Sequence, residues 1–175
     1  LTQRQRNFSL FAIIAASFSI GVAFGVGYPL TTLVLESWGE PKWVIGLAGA
    51  APAVGILIAM PAVAHIFSRF GAINAMVFGA IFAGTSFLAL AAVNDAATWI
   101  LVRVIMSMCL AAPWLGGETW INRVADDEIG GRVIALYTVA FFGGVTMGPF
   151  ILSDLGTTRL DGFFLGALAT PLASL

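Results

Sequence analysis

Residues 8–35 read FSLFAIIAASFSIGVAFGVGYPLTTLVL, from Phe8 to Leu35, with no charged side chain until Glu36. As an α-helix this run is about 42 Å long at 1.5 Å per residue, more than the roughly 30 Å hydrocarbon core of a bilayer. Hydrocarbon offers no water, so every backbone N–H and C=O must find a partner inside the protein, and a helix supplies these within one segment. Barrel-type alternation of apolar and polar residues is absent from the run. It is too long for the core of a cleaved signal peptide and reads as a retained membrane span.

The rest of the chain repeats this pattern. Of 175 residues, 59% are hydrophobic and 10% charged, and the mean hydropathy is +0.98. Soluble domains carry about 25% charged residues, so this chain cannot cover a water-facing surface of its size, and disorder needs the opposite composition. After the first span, apolar runs cover about 43–67, 72–93, 97–117, 133–152 and 162–175. Breakers or charges separate them, including Gly39 and Pro41, the Ser68 to Gly71 turn, Asn94-Asp95, the polar stretch from Glu118 to Arg132, and Asp154 to Asp161. The expected fold is all-α, a polytopic membrane bundle forming one domain. The sixth run would extend only about 21 Å as a helix, too short to span. The chain is therefore expected to stop inside a helix. Because it begins with Leu1, its start is expected to be incomplete as well.

The small counts exclude other classes. One cysteine, Cys109, and one histidine, His65, give no disulfide framework and no Cys/His metal site. A net charge of −1 gives nucleic-acid binding no electrostatic basis. A membrane-embedded enzyme would need clustered catalytic groups at membrane depth, and none is present. No catalytic residues, metal site or resident cofactor are expected. A scaffold or assembly subunit remains as the alternative to transport.

Orientation follows from basic residues in the short loops. With the N-terminus in the cytoplasm, Arg4, Arg6, Arg69, Arg123 and Arg132 lie inside, and Lys42 and Arg159 outside. The expectation is a multi-pass protein of the cell (inner) membrane with a cytoplasmic N-terminus.

Polar groups inside the spans are the site candidates. Arg103 lies about six residues into span 4, where an arginine costs about 2.5–3.5 kcal/mol or more. It is either a cavity residue that meets solute or a structural residue satisfied by backbone carbonyls. Tyr28, beside Pro29, and Trp114 are further cavity candidates, with helix packing as the alternative. Glu118 is the one acid plausibly inside a span, either a buried gate acid paired with Arg123 or Arg132 or an interfacial glutamate. Trp38, Trp43, Trp99 and Trp120 fall at predicted interfaces and suit an aromatic belt. Small residues recur four apart, as at Gly21/Gly25, Ala80/Gly84, Gly144/Gly148 and Gly162/Gly166, a spacing that lets helices approach closely in lipid.

This organisation resembles the N-terminal six-helix half of a major facilitator superfamily transporter, over nearly the whole chain. The family's turn between spans 2 and 3 reads roughly G-x-L-A-D-R-x-G-R-K. Here Ala64 to Ile73 keeps Arg69 and Gly71, with Ser68 in place of the aspartate. Arg103 stands where the family often has an arginine in span 4. Gly144-Val145-Thr146-Met147-Gly148-Pro149 fits the G-x-x-x-G-P motif in span 5 of many exporters. Gly117-Glu118-Thr119-Trp120 and the Gly131-Arg132-Val133 start of span 5 are similar to a bacterial subgroup.

The resemblance implies secondary transport of a small solute by alternating access. Arg103, Tyr28 and Trp114 would line the cavity. Arg69, Gly71, Glu118 and Arg132 would lie at the inner gate, and Gly144, Gly148 and Pro149 would shape gating. It further implies a C-terminal half as partner, a monomer when full length, and a proton or sodium ion as possible coupling ion.

Overall fold

A computed structural model describes residues 3–124 and 130–155. Five helices form there: α1 Gln3–Ser37, α2 Lys42–Phe70, α3 Ala72–Ala92, α4 Ala96–Val124 and α5 Gly130–Leu155. All five contain segments long and apolar enough to cross a membrane, and no strand occurs among the described residues. The sixth apolar run, 162–175, and the acidic group Asp126-Asp127-Glu128 lie outside the described residues.

Two helices run well past their apolar spans. α1 begins at Gln3, before Phe8, and α4 continues beyond Gly117 through Glu118 to Val124. Hydropathy marks where hydrocarbon ends, but the backbone ladder does not stop there. Gln, Arg and Glu favour helix about as well as Leu, so a polar turn continues it.

The joins are short. α2 ends at Gly71, whose φ of +81° suits a residue without a Cβ, and its N–H bonds the Phe67 carbonyl at 3.0 Å. α3 starts at the next residue. At the opposite end Asp95 caps α4. Its carboxylate accepts the Thr98 hydroxyl at 2.7 Å and the Thr98 backbone N–H at 2.8 Å. These bonds, hydroxyl first, hold the Asp95 carboxyl below its usual range.

Polar side chains inside the helices mostly bond backward to their own helix. Thr31 donates to the Gly27 carbonyl at 2.6 Å and Ser107 to the Arg103 carbonyl at 2.8 Å. Such back-bonding satisfies a hydroxyl without a partner helix.

α1 packs along α5, and α4 packs against both α2 and α3. The α1–α5 contact is backbone to backbone. A Cβ on Gly21 or Gly25 would collide with the Phe141 or Val145 carbonyl, and one on Gly144 or Gly148 with the backbone at Phe18 or Gly25. The largest apolar cluster joins Val26, Leu30 and Leu35 of α1 to Phe87 and Leu90 of α3 and Trp99 of α4. Trp99 is thus not a belt residue. It is fully buried, its indole N–H bonds the Val93 carbonyl at 3.1 Å, and its ring meets Trp38 edge-on at 5.2 Å. Trp43 and Trp120 are exposed. Large apolar side chains such as Phe8, Ile73, Val139 and Phe150 point outward. That is costly in water and costs little against lipid.

Candidate functional site

Arg103 is the one charged side chain among the buried residues that are described, with 2% of its surface exposed. It faces inward from α4 onto α1 and α2. Its Nε donates to the Ala48 carbonyl at 2.9 Å, and its Nη1 donates to the Gly27 carbonyl at 3.3 Å and to Thr31 Oγ1. The guanidinium also lies 5.5 Å from the centre of the Tyr28 ring. Hydrogen bonds to a charged group contribute on the order of 1.5–3 kcal/mol each. Two of them match the roughly 2.5–3.5 kcal/mol cost of a central arginine, which explains how the charge is tolerated.

Backbone carbonyls of α1 and α2 and one hydroxyl thus satisfy the Arg103 guanidinium. Arg103 also lines a narrow cleft, with room for about one water molecule, among Phe24, Gly27, Tyr28, Phe87, Met106 and Leu110. Residues of α1 and α4 supply most of the wall, with Pro52 of α2 and Phe87 of α3 completing it.

Tyr28, 42% exposed, lines this cleft. Trp114 does not line it, but Phe24 connects the two. The Phe24 ring lies 6.0 Å from Tyr28 and 6.1 Å from Trp114, and Phe141 of α5 lies 5.0 Å from Trp114. A line of aromatic rings thus runs from the Arg103 cleft toward the Gly71 end of the bundle. No residue-level signal in the sequence singled out Phe24 or Phe87. Phenylalanine is common here, with 14 in the chain, so composition cannot distinguish a wall residue from a lipid-facing one.

Arg69, Gly71, Glu118 and Arg132 all lie at the Gly71 end, on α2, the α2–α3 join, α4 and α5. Glu118 is exposed rather than buried, and its Oε1 accepts the indole N–H of Trp114 one turn earlier at 2.9 Å. Among the described residues no ion pair joins Glu118 to Arg132, and the Arg123 side chain lies outside them. Arg69 and Arg132 are exposed, and Arg69 lies 5.8 Å from the Phe70 ring centre. Gly144 and Gly148 are buried against α1, while Pro149 faces outward. Among the described residues no group of three or more His, Cys, Asp or Glu could hold a metal ion.

A family model described as "MFS_1 like family" matches residues 2–153. The chain is also 21% identical over 146 residues to a Bacillus subtilis (strain 168) protein named "Uncharacterized MFS-type transporter YfkF". That match takes in 83% of this chain and 37% of the relative, so the chain spans little more than a third of that protein's length.

Proposed function

The chain belongs to the MFS_1 like family, and from that premise we propose that the full-length protein moves a small solute across a membrane by alternating access. The observation that supports this best is the Arg103 cleft, a buried charge at the wall of a space between α1 and α4. A charge at this depth is costly, and a solute path is a common reason for keeping one. Transporter sites of this type lie near the bilayer midplane between two halves. Arg103 and Tyr28 would meet the solute directly, and Trp114 would bound the path further along through Phe24.

The N-terminus lies in the cytoplasm of a cell (inner) membrane, which makes the Gly71 end the inner end. Arg69, Gly71, Glu118 and Arg132 then sit where an inner gate closes. The α1–α5 seam at Gly144 and Gly148 lets the two helices move as a unit. A second half covers the cleft in a monomeric transporter without resident cofactor, driven by a proton or sodium gradient.

The test is solute flux in vesicles carrying the full-length protein. Arg103→Ala is expected to abolish flux while the protein remains folded, and Arg103→Lys to restore only part of it. Lysine keeps the charge but loses the planar fork that reaches α1 and α2 together. Unchanged flux in a well-folded Arg103→Ala protein would remove Arg103 from the path.

A further inference from the structure

We infer that Pro52 is a positioning residue for Arg103, tying it to α2, so that its bonds to α1 are the ones that break when α1 moves. The movement of α1 rests on the transport reading; the tie to α2 does not. In an α-helix the carbonyl of residue 48 takes the N–H of residue 52. Residue 52 is a proline, fully buried inside α2, and proline has no N–H. The Ala48 carbonyl is bonded instead by Arg103 Nε of α4, at 2.9 Å. Pro29, Pro52, Pro61, Pro113 and Pro149 each free a carbonyl of their own helix in this way. The packing of α2 on α4, not the spacing of prolines, selects Ala48 for Arg103.

The acceptors on α1 are held differently. The Gly27 carbonyl accepts the Thr31 hydroxyl at 2.6 Å, and residue 31 also supplies its helical N–H. Arg103 Nη1 joins this pair, reaching Gly27 at 3.3 Å and Thr31 Oγ1. If Nη1 withdraws, the Gly27 carbonyl and the Thr31 hydroxyl still bond each other. If Nε withdraws, the Ala48 carbonyl loses the donor that replaces its helical one, and an unpaired buried carbonyl is costly. Arg103 therefore stays with α2. The cleft beside it has room for about one water molecule, which can accept from Nη1 once α1 departs. The seams follow the same division. α1 meets α5 backbone to backbone at Gly25 and Gly148, and α2 and α3 meet α4 likewise, Gly55 on the Val104 carbonyl and Gly79 on the Cys109 carbonyl. Between α1 and α4 the contacts are made by side chains: Arg103 itself, Phe24 on Trp114, and Trp38, just past α1, on Trp99. α1 with α5 is thus one body, α2, α3 and α4 are another, and Arg103 belongs to the second.

The test is a double-mutant cycle on the full-length protein, read by reversible unfolding from mixed micelles. Pro52→Ala restores an N–H at position 52, and Arg103→Met removes the donors at similar side-chain length. In the wild-type background Arg103→Met strands the Ala48 carbonyl; in the Pro52→Ala background it does not. The shift in unfolding constant caused by Arg103→Met is expected to be at least roughly tenfold smaller in the Pro52→Ala background. The gain that any helix makes on losing a proline enters both arms and cancels. Additive effects would overturn the tie to α2.

Should Arg103→Met fail to fold, spin-label distances decide. Labels replace Leu33, Leu47 and Leu101, exposed sites on α1, α2 and α4, in a cysteine-free full-length protein in nanodiscs. Thr31→Val removes one α1 partner of Nη1 and leaves α2 untouched. It is expected to favour a longer 33–101 distance over the shorter one by about tenfold, with the 47–101 distance unchanged. A changed 47–101 distance, or an unchanged 33–101 distance, would overturn the inference. Solute flux with an additive cycle would sink the role of Pro52 and leave the transport reading standing. Coupling of Pro52 to Arg103 without flux of any solute would do the reverse.

Discussion

Arg103 is held by acceptors that have no sequence signature. The carbonyls of Gly27 and Ala48 belong to every residue type, and Thr31 is one of several hydroxyls in the spans. Hydropathy could place the charge inside span 4 and require a partner for it. It could not say which helices provide one, because in lipid every face of a span is apolar. Asp95 is the opposite case, since an acid three residues before Thr98 at the start of an apolar run is a visible cap. Its carboxyl is held below the usual range by the Thr98 hydroxyl and then the Thr98 N–H. With the folded value depressed, the cap contributes fully above the unfolded carboxylate value and fades as pH falls through the folded one. Asp95→Ala is expected to lower the melting temperature at neutral pH. The gap to wild type should narrow below about pH 4. A gap that stays constant into acid would show that the charge of the cap plays no part.

At the scale of elements, the α1–α5 seam has the least room for change. Gly25 and Gly148 touch backbone to backbone, so even a methyl group at 148 requires the helices to part. Overpacking of this kind costs about 1–3 kcal/mol. Gly148→Ala is expected to lower stability by that order in reversible unfolding from mixed micelles, and Gly148→Leu by more. A neutral Gly148→Leu would mean that α5 does not pack on α1 through this face.

The four-residue glycine spacing was readable in both helices, because close approach demands small residues at one register. Their mutual pairing was not, since Ala80 and Gly84 carry the same spacing on α3. Helix ends were the weakest part of the sequence reading. Span 4 seemed to stop at Gly117, yet α4 carries Glu118 through another turn, which puts its carboxylate on the Trp114 indole instead of in a buried pair. Trp99 differs from expectation in its facing. It lies near the start of α4, as its distance from the Asn94-Asp95 turn suggests, but its ring faces the bundle against Trp38 instead of lipid.

For the whole molecule, five helices able to span a bilayer could be counted from long apolar runs, with Arg103 the one charge within them, because a bilayer sets a minimum length. The cleft could not, since it depends on how α1, α2, α3 and α4 meet. Alternating access requires that the Arg103 cleft open to each side of the membrane in turn. The direct test places a single cysteine at position 28 in a cysteine-free full-length protein, with Cys109 replaced by serine. A membrane-impermeant thiol reagent is then applied from either side of oriented vesicles. Labelling from both sides is expected, with a transported solute shifting the ratio between them. Labelling from one side only, whatever the solute or gradient, would contradict alternating access.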